Sequence, residues 1–374
     1  MVKEELKIYL KSTQARLNEI QVTGFKETKE AIRTVSLLTS VLERVRQYLT
    51  GECNPRFFAA ITTDEQCEEI LNKNNLFIDR LERENYPFKG RYCEFGGSVV
   101  DHCVVKKGDL YHLFYIRGRA GFAWTEVPMR DFGHAVSTDL KEWYPLQPAL
   151  ESGKSGFDCY QVWAPHIVEK DGLYYMFYTG VNENAAQTVG LATSSDLYHW
   201  TKYEKNPLLH TSEWGYWGAD HWSDGRDPMV MEDDSKYYMY YTRSRFDEKR
   251  GRYISCVGVS SSENLIEWKD EGTIDIGDDP DYPPESPFMV KRDGKYFLFY
   301  TQYFVGTCCW VSDQPIRGFQ RQDWSIILQD VSASEIVQTE TGEYYISRIT
   351  HESTDMHFID FLPLYYKDGK FFTK

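Results

Sequence analysis

The chain has 374 residues, of which 41% are hydrophobic and 26% charged, and its formal net charge at pH 7 is −15. This length exceeds what one small core holds, so we expect one large domain with an additional segment. The excess of acidic residues argues against a nucleic-acid or anionic-membrane partner, because phosphate binding requires clustered Lys and Arg. No long uncharged apolar segment predicts a membrane-spanning helix.

Residues 1–88 have the pattern of a helical domain. Apolar residues recur at helical spacing from Ile32 to Leu49, and Gly51 follows as a stop signal. A second helix is predicted to begin near Thr63, whose hydroxyl can cap it. The segment contains no recognisable catalytic motif. We therefore expect it to pack on the main body or on another subunit, as the interface of a homo-oligomer.

The N-terminal sequence and the cysteines predict the compartment. Met-Val-Lys-Glu-Glu-Leu-Lys lacks the apolar stretch of a secretory signal. The eight cysteines form no CxxC pair and have no zinc-type spacing. The expected protein is cytoplasmic, with reduced and mostly structural cysteines.

A repeat occupies residues 89–374. Its first half is an apolar strand, a charged or Gly-containing turn and an aromatic strand, and its second half recurs as AVSTDLKEW, ATSSDLYHW and VSSSENLIEW. The Trp of the second half is expected to fill the space between blades, and the Asp to fix a turn. Each unit holds about four short strands, which predicts an all-β fold, a five-bladed β-propeller. The five copies begin 63, 63, 59 and 48 residues apart at Asp101, Ala164, Asp227, Ser286 and Ser334.

Three acidic residues stand at the starts of these repeats. Copies two and four begin with the small residues Ala164 and Ser286, whereas copies one and three begin with Asp101 and Asp227. Glu285 directly precedes Ser286. The innermost strand of a propeller blade starts near the central channel, so the three carboxylates are expected to converge there. A packed core disfavours such convergence, whereas glycoside hydrolysis uses it. A turn-capping or cation-binding role is the structural alternative.

At these residues the sequence resembles the five-bladed propeller glycosidases of families 32 and 43. Segments 111–115 (YHLFY), 132–143 (FGHAVSTDLKEW), 199–207 and Arg226-Asp227-Pro228 are similar to family 32, the fructofuranosidases. The segments Trp163-Ala164-Pro165 and Glu285-Ser286-Pro287 are closer to family 43, the arabinofuranosidases and xylosidases. The resemblance covers about residues 95–365 and implies a furanoside or small pyranoside substrate of fructo-, arabino- or xylo-type.

The resemblance also implies roles for the three acids. Asp101 matches the nucleophile of family 32 and the general base of family 43, Asp227 matches the aspartate that orients the sugar, and Glu285 matches the general acid. The two families imply opposite stereochemistry. Family 32 carries Asn-Asp-Pro-Asn-Gly at its nucleophile, whereas this chain has Val-Asp-His-Cys at 100–103, which leaves the substrate open.

Further residues are candidates for substrate contact. Trp163 is a candidate sugar platform or core residue, and Trp222 belongs to a Trp-rich loop just before Asp227. Arg226 either pairs with a site acid or is solvated, His166 is either packed or substrate-binding, and His351 lies just after the last repeat's strand. No metal ligand set and no cofactor are expected, although a structural cation on the propeller axis is compatible with the pattern.

Two other classes of function fit the same scaffold. The chain could be a carbohydrate-binding propeller without activity, against which the retention of three acids argues. It could also be a transglycosylase or a phosphorylase. A phosphorylase needs a cluster of Arg, Lys or His beside the acid, where the sequence offers only Arg226.

Overall fold

The computed structural model describes residues 3–23, 42, 45–46, 48–50, 63–72, 92, 97–119, 125, 127–209, 224–274, 284–351 and 357–374. The chain forms two compact units. The first comprises Met1–Val99, Gly118–Pro128 and His351–Phe358, and the second comprises Val100–Arg117, Met129–Thr350 and Ile359–Lys374. The predicted domain boundary at residue 88 stays a prediction.

The first unit contains helix α1 (Lys3–Thr23) and further helical residues between 42 and 50 and at 64–72. The capping role predicted for Thr63 is confirmed: its Oγ1 accepts the Gln66 amide and Gln66 Oε1 accepts the Thr63 amide, each at 3.2 Å. Within the described residues, no helix is both long and apolar enough to cross a bilayer. The helical faces share one apolar cluster of Leu6, Leu17, Leu42, Val45, Leu49, Cys67 and Leu71.

The strands confirm the predicted five-bladed β-propeller, because they form five sheets, each built from strands that are close in the sequence. Blade one holds β1 (Gly97–Lys107), β2 (Leu110–Arg119), β3 (Asp131–Ser137), β4 (Tyr144–Pro145) and β5 (Leu150–Glu151). Blade two holds β6 (Gln161–Lys170), β7 (Leu173–Val181), β8 (Gln187–Ser194) and β9 (Thr201–Lys202). Blade three holds β10 (Arg226–Asp233), β11 (Lys236–Asp247), β12 (Arg252–Ser262) and β13 (Lys269–Ile274).

The last two blades follow the same plan. Blade four holds β14 (Pro284–Arg292), β15 (Lys295–Gln302), β16 (Gly306–Ser312) and, after a 3-10 helix at Arg321–Asp323, β17 (Ser325–Gln329). Blade five holds β18 (Val331–Ser332), β19 (Ile336–Gln338), β20 (Tyr344–His351), β21 (His357–Lys367) and β22 (Lys370–Phe372). In each blade the first strand precedes the others in sequence and in sheet order.

The repeated Trp residues pack between blades, as predicted. Trp200 of blade two meets Phe114 of blade one edge-on at 5.7 Å between ring centroids, and Trp268 of blade three meets Phe177 of blade two at 5.6 Å. Trp143 of blade one contacts Phe361 of blade five at 5.6 Å. Trp–Phe contacts therefore join blades one and two, blades two and three, and blades one and five.

The repeated Asp fixes a turn, which is also as predicted. Asp196 Oδ1 accepts the amides of Tyr198 and His199, both at 2.8 Å. Leu197, which lies between Asp196 and Tyr198, has a positive φ of 75° and is fully buried. The Asp carboxylate thus supplies the hydrogen bonds that a helical or strand partner would otherwise provide.

Candidate active site

The first strands of blades two, three and four each begin with a β-bulge next to a proline. The register against the second strand shifts in three equivalent segments, Trp163–His166, Arg226–Met229 and Glu285–Phe288. A bulge re-aims side chains, so two consecutive residues of one strand can face the same side. The residue before each proline has a left-handed backbone, which is uncommon outside glycine: Ala164 (φ 44°), Asp227 (58°) and Ser286 (48°).

A threonine on the second strand of a blade holds the bulge of the next blade. Thr179 Oγ1 accepts the Asp227 amide at 3.0 Å, and Thr301 Oγ1 accepts the Ala333 amide at 2.8 Å. Ala333 also has a positive φ of 47°. The lead position of blade five is therefore Ala333, one residue before the predicted Ser334.

Ser286 brings two of the predicted carboxylates together. Its hydroxyl donates a hydrogen bond to Asp101 Oδ2 at 2.9 Å, and its amide donates to Asp227 Oδ2 at 3.1 Å. The Thr242 hydroxyl also donates to Asp227 Oδ2, at 3.1 Å. Asp101 and Asp227, which are 126 positions apart in the sequence (227 − 101), are thus neighbours at the mouths of blades one and three.

Arg226 connects the third carboxylate to this pair. It is 9% exposed, and its guanidinium donates to Glu285 Oε1 at 2.9 Å and to Asp224 Oδ1 at 2.6 Å. Its Nε lies 3.7 Å from Asp227 Oδ2, and Gln187 Oε1 accepts a further hydrogen bond at 3.2 Å. The predicted pairing of Arg226 with a site acid is confirmed. A buried guanidinium among carboxylates offsets their mutual repulsion and fixes their orientation.

The environment changes the protonation of both aspartates. Burial raises the pKa of Asp101 to about 8, and the nearby charge of Asp227 acts in the same direction. Burial also raises the pKa of Asp227 to about 6, against the lowering effect of the Arg226 charge. Two carboxyl groups this close titrate as a pair. The pair therefore retains a proton at pH values where an isolated aspartate is ionised.

The structure places the remaining candidate residues less centrally. Trp163 donates through Nε1 to Gln161 at 3.1 Å and packs against the core between blades one and two. His166 is 8% exposed, and its Nε2 lies 3.1 Å from the Val230 carbonyl of blade three. These contacts fit packing roles for both residues. Trp222 and the side chain of His351 lie outside the described residues.

Comparison with known proteins identifies the family. The sequence profile described as Glycosyl hydrolases family 32 N-terminal domain matches residues 102–296, more than half of the chain. The chain belongs to glycosyl hydrolase family 32. This family 32 chain is 27% identical over 284 residues to the insoluble beta-fructofuranosidase isoenzyme CWINV5 of Arabidopsis thaliana. That match covers 67% of this chain and 46% of the relative, so the chain spans about half of the relative's length.

Solved structures share the propeller. A sucrose-6-phosphate hydrolase from Lactobacillus gasseri superposes with a TM-score of 0.61 at 19% identity, covering 77% of this family 32 chain and 63% of the other. A thermostable family-43 glycoside hydrolase superposes with a TM-score of 0.60 at 20% identity, covering 74% of this chain and 93% of the other. Both likenesses establish the fold, and the resemblance to both families is confirmed.

Asp101 and Asp227 of this family 32 chain border a small axial cavity. The cavity has a volume of about 30 Å³, and its lining includes Asp101, His102, Asp227, Ser286 and Glu335. That volume is enough to hold water. Among the described residues, no group of three or more His, Cys, Asp or Glu side chains is arranged to hold a metal ion. The axial cation stays a prediction.

Several residues that shape the site were missed by sequence reasoning. Thr242 and Asp224 contact Asp227 and Arg226 directly, and Ser244 donates from β11 to Asp224. A signal for Thr242 was present, because Tyr-Thr recurs at 178–179, 241–242 and 300–301. Gly225 has a steric reason: a Cβ there would lie 2.8 Å from the Gln187 carbonyl. A side chain at 225 would push β10 away from β8 and displace Arg226.

Proposed function

We propose that this chain hydrolyses the glycosidic bond of a fructofuranoside, with Asp101, Asp227 and Glu285 as its active carboxylates. The observation that carries the proposal is the hydrogen-bonded network through Ser286 and Arg226, which gathers the three acids at the mouths of three blades. Membership of family 32 and the names of the relatives, a beta-fructofuranosidase and a sucrose-6-phosphate hydrolase, support the choice of a fructosyl group.

In the proposed reaction, Asp101 is the nucleophile. Its carboxylate attacks the anomeric carbon while Glu285 donates a proton to the leaving oxygen, so the glycosidic bond breaks and a covalent glycosyl-enzyme ester forms. Glu285 then takes a proton from water, the water oxygen attacks the anomeric carbon, and Asp101 leaves. Two displacements at one carbon give net retention of configuration.

The neighbouring groups have supporting roles in this proposal. Burial raises the pKa of Asp101 to about 8, and the Ser286 hydroxyl opposes that rise by favouring the charged form, which attack requires. Asp227, fixed by the Ser286 amide and the Thr242 hydroxyl, has a second oxygen with which to orient sugar hydroxyls. Arg226 holds Glu285 in place and counters the negative charge of the site.

Turnover of sucrose and short fructans, beside nitrophenyl arabinosides and xylosides, tests the proposal. We expect release of fructose by the wild-type chain, and a fall in kcat of about 1,000-fold or more in Glu285→Gln, because the amide cannot supply the proton. Glu204→Gln is the matched control, since Glu204 is exposed on the surface of blade two. Sugar binding without turnover by the wild-type chain would instead support the carbohydrate-binding alternative.

The first-formed product anomer tests the role of Asp101. Retention, followed by NMR during early turnover, is expected for a nucleophilic Asp101, whereas inversion would make Asp101 a general base acting on water. The second result would leave the hydrolase proposal intact and overturn the covalent step.

A further inference from the structure

The turn that follows β15 lies directly beside Glu285. In the register of blade four, Glu285 pairs with Thr301 and Pro284 with Gln302. The turn of Tyr303, Phe304 and Val305 therefore continues β15 past Glu285, at the end of the sheet where β14 begins. The Val305 amide closes the turn by donating to the Gln302 carbonyl at 3.0 Å.

Phe304 has two unfavourable features in this turn, a left-handed backbone and a solvent-exposed aromatic ring. Its φ is 61°, in the left-handed region that turns of this kind usually give to Gly or Asn. Its side chain is 85% exposed, the highest exposure among the large apolar residues of the described chain. A strained and exposed aromatic ring adds little to folding stability. Strained backbone at a residue of this kind is concentrated at active sites and ligand-binding sites.

Tyr303 adds a polar group to the same turn. Its ring meets the Phe304 ring edge-on at 5.5 Å between centroids, and it is 47% exposed. The charge of Glu285 raises the pKa of Tyr303, and burial and the charges of Asp101 and Asp227 act in the same direction. A tyrosine hydroxyl is protonated at neutral pH in any case, so Tyr303 is able to donate a hydrogen bond close to the carboxylates.

We propose that the Tyr303–Phe304 turn is the binding site for the leaving group of the substrate, and that it selects a leaving group that is itself a sugar ring. This inference rests on the proposed function. Glu285, which protonates the leaving oxygen in the proposed reaction, must lie beside the leaving group. The turn lies beside Glu285. The C–H face of a pyranose packs on the Phe304 ring, and a sugar hydroxyl accepts from Tyr303.

The test compares two fructosides that differ only in the leaving group. Sucrose releases a glucose ring, whereas methyl β-fructofuranoside releases methanol, and the ratio of their kcat/KM values isolates recognition of the leaving group. We expect Phe304→Ala and Tyr303→Phe each to lower this ratio, the first by about tenfold. Tyr144→Ala, which removes an exposed aromatic ring from the outer strand of blade one, should leave the ratio unchanged.

Phe304→Gly separates binding from folding. Gly adopts a positive φ without strain, so this variant should unfold at a higher temperature than Phe304→Ala and yet show the same low ratio. A ratio that stays at the wild-type value in Phe304→Ala and Phe304→Gly, while the wild-type chain turns over both substrates, would overturn the inference and leave the proposed function standing. Failure of the wild-type chain to cleave either fructoside would overturn both.

Discussion

Blades two and three begin with the same backbone conformation but carry different side chains there. Each begins with a bulge, a residue at positive φ and a proline, but blade two carries Ala164 where blade three carries Asp227. Both residues are buried, at 7% and 8% exposure. The strained backbone is therefore a property of the scaffold, and the side chain that it presents determines whether a blade contributes chemistry.

Blade four shows how this backbone conformation is adapted. In blades three and five the amide of the left-handed residue donates to a threonine hydroxyl, whereas in blade four the Ser286 amide donates to the Asp227 carboxylate. The Thr242 hydroxyl, which corresponds to the accepting threonines, instead donates to Asp227. An interaction that elsewhere only joins blades thus becomes part of the carboxylate network.

Asp227→Asn removes the negative charge that distinguishes the start of blade three from that of blade two. It changes the shape of the side chain very little. Asn tolerates positive φ and matches Asp in size, so the fold should remain. We expect kcat/KM on a cleaved fructoside to fall by about 1,000-fold, because the charge beside the reacting carbon is lost. The thermal unfolding midpoint should stay within a few degrees of the wild-type value. A large fall in that midpoint would indicate that Asp227 is mainly a structural residue.

Asp101→Asn tests the electrostatic cost of gathering carboxylates. The pKa of Asp101 is raised in the folded state, so its contribution to stability is present below about pH 4 and is lost as pH rises through about 8. Asn does not ionise, so the variant does not lose stability at this position as the pH rises. Relative to wild type, we expect its free energy of unfolding to rise between pH 4 and pH 9 by up to about 5 kcal/mol, because the pKa of Asp101 is raised from an ordinary 3.8 to about 8. Denaturant titrations across that range measure it, and a difference independent of pH would contradict the assignment.

Thr179→Val and Thr301→Val compare two equivalent contacts between blades. Each removes the hydroxyl that accepts a buried amide, and each should cost about 1–2 kcal/mol in the free energy of unfolding. Thr179 holds Asp227 whereas Thr301 holds Ala333. We therefore expect a larger fall in kcat/KM for the Thr179 variant, and equal falls would contradict the comparison.

The fold was predictable because the repeat is strong. Strand periodicity and the recurring Trp and Asp residues identified five blades, and the packing of Trp200 and Trp268 follows the prediction. The predicted first residue of blade five, Ser334, is one position too late. The repeats were aligned by residue type, which does not show the positive φ of Ala333. Positive φ at a non-glycine residue leaves little trace in a sequence.

The convergence of the three acids was predictable, whereas the groups that connect them were not. Asp101, Asp227 and Glu285 stood out because equivalent repeats carry small residues. The β-bulges were not predicted, and they are the reason why Arg226 and Asp227, although consecutive, both contact the network. The role of Ser286 as the bridge between two carboxylates depends on tertiary distances that no local pattern encodes.

The contact between Trp143 and Phe361 has a consequence for how the ring forms. Each sheet is built from consecutive strands, so a blade can complete its own pairing from nearby sequence. The joint between the first and last blades depends on side chains more than 200 positions apart, including Trp143, Tyr345 and Phe361. Closing so long a loop is entropically slow. The seam between blades one and five is therefore where we expect the ring to close last.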